Sequence, residues 1–251
     1  VVAETWDGYL NDINGPHVKT IHAIEAINNS KSGVIQEGSV GGGTGMNCYE
    51  FKGGCGSSSR IVKYANTEYV VAAFVQANFG SRSELRIAGV PMNDLDVPNP
   101  MHDISWFIQD KKEAKVPSGA GSVICIIATN APLLPAQCKA LARRVPLGLA
   151  RTGTAGSHFS GDIFLAFSTA NEGSLQSGFP VNESTEKDYD QFKSIQWGRI
   201  DDFYTATVQS VEEAVINALV ANETIEGRLG HKSYSLPHDQ VISKLKKFNI
   251  I

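Results

Sequence analysis

Apolar positions along the chain follow two spacings. Behind Pro16, Val18, Ile21 and Ile24, or Ala23 and Ile27, recur at helical intervals until Asn28-Asn29-Ser30, which predicts a helix from Pro16 to about Asn29. The Pro132-Leu133-Leu134-Pro135 step leads into a second predicted helix with Leu134, Cys138, Leu141 and Val145 on one face, its Arg143 and Arg144 suiting the dipole at the C-terminal end. A third is predicted from Ser210 to Ala221, with Val211, Val215, Ala218 and Leu219 inward. Runs of β-branched and aromatic residues predict strands at Ile61 to Tyr64 and Tyr69 to Gln76, joined by an Asn66-Thr67 turn, and at Glu84 to Ile87, Ser122 to Thr129 and Asp162 to Thr169. YVVAAFVQ is nearly apolar throughout, so both of its faces are expected to be buried, and DIFLAFST reads as another buried strand.

Two stretches break the pattern. From Gly38 to Arg60 (GSVGGGTGMNCYEFKGGCGSSSR) glycines are so dense that no regular element is expected, because they bury little side-chain area and cost entropy to order. Pro91 to Gly121 is polar and rich in proline and charge, which predicts an exposed loop open to cutting. Strands and helices come in two sets, without a βαβ repeat or an internal period of about 20 to 50 residues.

With 251 residues and 42% hydrophobic content the chain can bury a sizeable core. A net charge of −4 without a Lys or Arg run argues against nucleic acid as a partner. No stretch approaches the roughly 20 apolar residues that cross a bilayer, so no membrane partner is expected. Cys48, Cys55, Cys125 and Cys138 form no C-x-x-C pair; two of them sit inside apolar segments and read as small core residues, and a reduced, cytoplasmic setting is expected. The six histidines show no metal-ligand spacing, and no metal site is expected.

Three segments could carry chemistry. SVGGGTGM offers backbone N–H groups as a phosphate cradle and resembles the phosphate loop of tubulin-like GTPases, but it has no G-K-[ST] ending and no apolar strand before it. A loop lining a pocket is the preferred reading. VPSGAG followed by SVICIIAT sets a Gly-Ser bond at the head of a strand. A serine there is ordinarily a strand cap; an N–O acyl shift at that bond would free an α-amine, with a reference pKa of about 7.7–8.0, to act as base for the same serine. In SHFSGDIFLAFSTAN, Ser160 and Asp162 alternate onto one side of an extended segment, where a hydroxyl and a carboxylate can reach one point; the plain alternative is a Ser-Gly-Asp turn.

Together ETWDGYLNDI, SVGGGTGM, FKGGCGSSSR, VQANFG, IATNAPLLPAQCKALARR, GLARTGT and SGDIFLAFSTAN resemble the family of L-aminopeptidase/D-amidase/esterases and β-peptidyl aminopeptidases, over Glu4 to about Asn171. The resemblance implies an α+β fold, an αββα sandwich like that of the N-terminal-nucleophile hydrolases. It also implies self-cleavage between Gly121 and Ser122 into an α-chain portion, 1–121, and a β chain, 122–251. Ser39, which also follows a glycine, is set aside because the family's apolar strand and helix follow Ser122. Ser122 becomes the nucleophile, Ser160 helps activate it, Asp162 holds the surrounding charged network, and Asn78 donates to the oxyanion. Glu4 binds the substrate's ammonium, and Tyr9 lines the pocket and donates to the tetrahedral intermediate. Family α chains carry a further region ahead of the ETWDG motif with which this sequence nearly opens. Implied substrates are small peptides, amides or esters with a free amine, without cofactor, in a homo-oligomer of αβ units. Two other readings stay open: an acyltransferase resembling the ornithine acetyltransferases, and a binding protein that keeps the fold without turnover.

Overall fold

The computed structural model describes residues 3–103, 105–106, 121–175 and 177–251. Residues 107–120, which include VPSGA of the approach to Ser122 and part of the loop expected before it, lie outside the described residues.

A four-stranded sheet organises the fold. β1 (Gly54–Tyr64) and β2 (Thr67–Asn78) form a hairpin, β3 (Ser122–Thr129) runs antiparallel to β2, and β4 (Ile163–Ser168) lies parallel to β3. The hairpin turns at Ala65-Asn66, Ala65 having a positive φ, so Thr67 already pairs with Tyr64. Parallel neighbours need a crossover. Here helices α2 (Pro135–Ala142) and α3 (Val145–Arg151) supply it. One helix was expected in their place; Pro146, which has no N–H to give, sits in the first turn of α3 and makes Arg143-Arg144 a break between two helices.

α4 (Asp201–Val220) lies across β1 and β2 and starts nine residues before the predicted Ser210. Phe203, Ala206 and Thr207 extend its buried face, although Thr and Phe are middling helix formers, because packing overrides propensity there. Its close approach also explains Gly56 of β1. A Cβ on Gly56 would stand 2.0 Å from the Ala214 carbonyl oxygen and 2.6 Å from the Ala218 nitrogen. Gly54 to Arg60 are therefore strand, contrary to the irregular structure expected of the whole glycine-rich stretch.

The sheet's two faces differ. Val71, Val75, Cys125 and Ile127 point under α4 and its neighbours and are fully buried. The alternate positions Val70, Phe74, Ile124, Ile126, Ile163, Leu165 and Phe167 lie on the other face, half-buried or exposed, so the expected burial of β2 on both faces and of β4 is not what the fold gives. Among the described residues the other sheets are two-stranded ribbons.

Helix α1 (Thr20–Asn28) starts later than Pro16 and buries none of its residues; the apolar side assigned to it faces outward. The predicted loop after Pro91 is only partly exposed, since Met92 and Leu95 join the core and Asp96 N–H donates to Gln240 Oε1 (2.8 Å) of α5 (His238–Lys247). The strand expected at Glu84 to Ile87 shrinks to a two-residue ribbon, Arg86–Ile87 paired with Val90–Pro91.

Candidate active site

Ser122 heads β3, and register places Asn78, the last residue of β2, directly opposite it. Antiparallel partners project to one face at close spacing, so these two side chains are neighbours. On the other flank, the Ser160-Gly161-Asp162 turn enters β4. Gly161 N–H is shared between Ser122 Oγ (3.3 Å) and the Gly121 carbonyl oxygen (3.2 Å). Val123 N–H donates to Asp162 Oδ1 (3.2 Å), and Ser160 Oγ donates to the same oxygen. The fold thus gathers Gly121, Ser122, Asn78, Ser160 and Asp162 at one end of three adjacent strands. Among the described residues, Ser160 and Asp162 reach Ser122 through the main chain of Gly161 and Val123.

Asn78 is buried with a fixed amide. Its Oδ1 accepts from Asn47 N–H (2.8 Å) and its Nδ2 donates to the Trp6 carbonyl (2.6 Å). An amide nitrogen carries two donors, so one N–H remains available. Gly121 is held from the same side: a Cβ there would lie 2.4 Å from the Asn78 carbonyl oxygen and 3.0 Å from Phe79 Cα.

The two substrate-binding candidates are placed differently. Glu4 is exposed, just upstream of Thr5, whose Oγ1 accepts from Gln76 Nε2 (2.6 Å), and of Trp6, which holds Asn78. Tyr9 is buried, stacked on His231 with centroids 4.8 Å apart and edge-on to Trp106. Its hydroxyl donates to the Lys232 carbonyl (2.9 Å), and burial, reinforced by Tyr234, pushes its pKa up to about 12. In this structure the Tyr9 hydroxyl is thus tied to the backbone of a neighbouring loop. Ser39, the rival nucleophile, donates to Asn222 Oδ1 (2.7 Å) as a structural tie.

Sequence reasoning passed over Asn47, Gly161 and Lys52. The Lys52 ammonium is buried among the carbonyls of Gly43 (3.1 Å), Met46 (3.1 Å) and Gly53 (2.5 Å), and burial lowers its pKa to about 8, with the Cys55 thiol beside it pulling the other way. The glycine-rich loop therefore turns carbonyls onto a cation, the reverse polarity of a phosphate cradle. A lysine inside FKGG, surrounded by glycines, was the available signal. A cavity of about 130 Å³ opens beside the turn, with Ser160 and Asp162 in one wall and Phe79, Glu84, Leu149 and Thr154 around it.

Among the described residues no cluster of three His, Cys, Asp or Glu side chains could hold a metal ion, and no helix is long and apolar enough to cross a membrane.

This geometry has close counterparts. The chain is 43% identical over 250 residues to the β-peptidyl aminopeptidase BapA of Sphingosinicella microcystinivorans, covering 99% of this chain and 61% of the relative, and 39% identical over 246 residues to BapA of Sphingosinicella xenopeptidilytica (98% and 59%). It superposes with a TM-score of 0.82 and 38% identity on the L-aminopeptidase D-Ala-esterase/amidase of Ochrobactrum anthropi, described as a prototype for the serine aminopeptidases and a variant of the Ntn hydrolase fold (97% of this chain, 61% of that one). A β-aminopeptidase from a Burkholderia species matches at TM-score 0.78 and 38% identity (96% and 62%). The chain thus spans about three-fifths of these relatives' length, as an α+β fold of the Ntn hydrolase type. The model of peptidase family S58 matches residues 1–233, and the chain belongs to that family.

Proposed function

We propose that this chain is the catalytic part of a self-processing serine aminopeptidase, cut between Gly121 and Ser122. The observation that carries the reading is the Ser122–Asn78 cross-strand pair with Gly161, Ser160 and Asp162 on its other flank. After cleavage, the α-amine of Ser122 has a reference pKa close to neutrality and serves as base for its own hydroxyl. Oγ attacks a substrate carbonyl, and the spare Asn78 N–H stabilises the oxyanion, a preorganised donor whose loss costs about 2.7–4 kcal/mol in comparable sites. The leaving amine departs, and water hydrolyses the ester on Ser122. Ser160 and Asp162 orient this end of β3 through Gly161 and Val123 and hold negative charge near the Ser122 amine.

The substrates are small peptides, amides or esters with a free amine. Exposed Glu4, beside the Trp6 that holds Asn78, is positioned in sequence to receive that ammonium, and the small cavity next to Ser160 and Asp162 suits short acyl groups. Neither step calls for a cofactor. The relatives named as β-peptidyl aminopeptidases support β-amino acid derivatives as one substrate class. Four buried free cysteines support a reducing, cytoplasmic location, and a homo-oligomer of αβ units remains part of the proposal.

Intact mass spectrometry beside a Ser122→Ala variant tests it. Two fragments meeting at Gly121/Ser122 in the native sequence and one uncut chain in the variant are expected, together with turnover of aminoacyl amides by the cut form alone. A single uncut chain in both sinks the reading.

A further inference from the structure

The geometry points to two separate oxyanion donors in this site: Gly161 N–H for self-cleavage and Asn78 for turnover. This deepens the reading above and rests on it. In the uncut chain the carbonyl to be attacked is that of Gly121, and its oxygen faces Gly161 N–H at 3.2 Å. The same N–H lies 3.3 Å from Ser122 Oγ, the attacking atom, so one donor touches both reacting groups. Asn78 keeps one N–H spare, since Asn47 fixes its Oδ1 and Trp6 takes the other N–H, but among the described residues that spare N–H makes no hydrogen bond to the Gly121 oxygen, and the Asn78 backbone presses against Gly121 at the distance that forbids a Cβ. Glycine at position 161 keeps the approach open, since a Cβ there would stand 3.3 Å from Ser122 Oγ.

The step balances as follows. Ser122 Oγ attacks the Gly121 carbonyl carbon, and the carbonyl electron pair moves onto the Gly121 oxygen, where Gly161 N–H stabilises it. Collapse breaks the Gly121 C–Ser122 N bond; the proton lost by the hydroxyl ends on the departing nitrogen, leaving an ester between Gly121 and Ser122 Oγ. Water then hydrolyses the ester, releasing the Gly121 carboxylate and restoring the hydroxyl. Once the peptide bond is gone, a substrate carbonyl is no longer tethered through the Ser122 nitrogen and can turn its oxygen to the opposite flank, where Asn78 waits. Donors for a developing oxyanion are effective only where that oxygen comes to lie, which is why one site needs two.

An amide-to-ester replacement at position 161, which deletes this N–H and adds no bulk, tests the inference in the full chain. Cleavage at Gly121/Ser122, followed by intact mass, should slow by on the order of 10²–10³, the loss expected for one oxyanion donor. Gly161→Pro, which also lacks the N–H, should stay uncut, while Gly161→Ala should be slowed less than either. Thermal melting confirms that each precursor is folded, and an ester at the exposed Phe159 controls for the backbone change. Asn78→Ala should lower turnover more than it slows self-cleavage. Wild-type cleavage rates in the position-161 ester, or an Asn78→Ala chain that stays uncut while the ester is processed, overturn the assignment and leave the serine aminopeptidase reading intact. An uncut native sequence overturns both.

Discussion

The two faces of the central sheet carry nearly the same apolar side chains and have opposite fates. Under α4, Val71, Val75, Cys125 and Ile127 show no exposure; on the other face, Ile163, Leu165 and Phe167 remain 40%, 41% and 43% exposed. Ser122 belongs to the second face, in line with Ile124 and Ile126, so the proposed nucleophile stands at the rim of an apolar platform and outside the packed core. Stability and the proposed chemistry are therefore drawn from opposite sides of the same four strands.

The largest effect should come from the chemical side. Ser122→Ala is expected to abolish self-cleavage and lower turnover of aminoacyl amides by on the order of 10⁴ or more, with unfolding midpoints close to the uncut native chain. A comparable loss of stability in that variant would break the separation between the faces.

Next, equal truncations on the two faces should cost unequal amounts. Ile127→Ala leaves a cavity beneath α4 and should destabilise by about 2–5 kcal/mol, whereas Leu165→Ala, on the open face, should cost less than about 1 kcal/mol in urea unfolding of this chain. Equal costs would mean that something covers the open face in solution.

Asn78→Ala joins the two sides, being buried yet adjacent to Ser122. Loss of kcat by about 10²–10³ with a smaller change in KM is expected from steady-state kinetics of the cut form.

The smallest expected effect concerns Lys52. Its folded pKa, lowered to about 8 by burial, lies below the ordinary lysine value of 10.5, so between those pH values the unfolded chain holds more protons than the folded one. Stability from this group therefore rises as pH climbs from about 8 toward 10.5. The Cys55 thiol, whose pKa burial raises, opposes this at the alkaline end. Urea midpoints measured from pH 7.5 to 10 should rise more steeply in the native sequence than in Lys52→Met; parallel slopes would remove Lys52 from the account.

Legibility in the sequence followed the range of the interaction. The apolar runs of β2, β3 and β4 and the face of α2 were readable because a strand or helix repeats its pattern within a few residues. Gly54 and Gly56 were misread, since the backbone of Gly38 crowds the first and Ala214 and Ala218 of a helix far along the chain crowd the second. The burial of β2 on both faces was misread for a related cause: hydrophobicity reports that a residue can be buried, and only the neighbouring layers decide whether it is. The family motifs named Ser122, Asn78, Ser160, Asp162 and Tyr9 as candidates, but not the tie of the Tyr9 hydroxyl to Lys232, a residue beyond the recognised blocks.

By itself, then, the sequence determined the local elements, the absence of a basic stripe, the candidate Gly121-Ser122 bond and, through ordered motifs, the family. Tertiary structure alone decided that Asn78 faces Ser122, that the Gly161 N–H reaches both Ser122 Oγ, 39 residues away in sequence, and the Gly121 carbonyl, and that Lys52 is ringed by carbonyls. Strand register and crossover placement set those contacts, and they arise from pairings between distant segments that no local periodicity encodes.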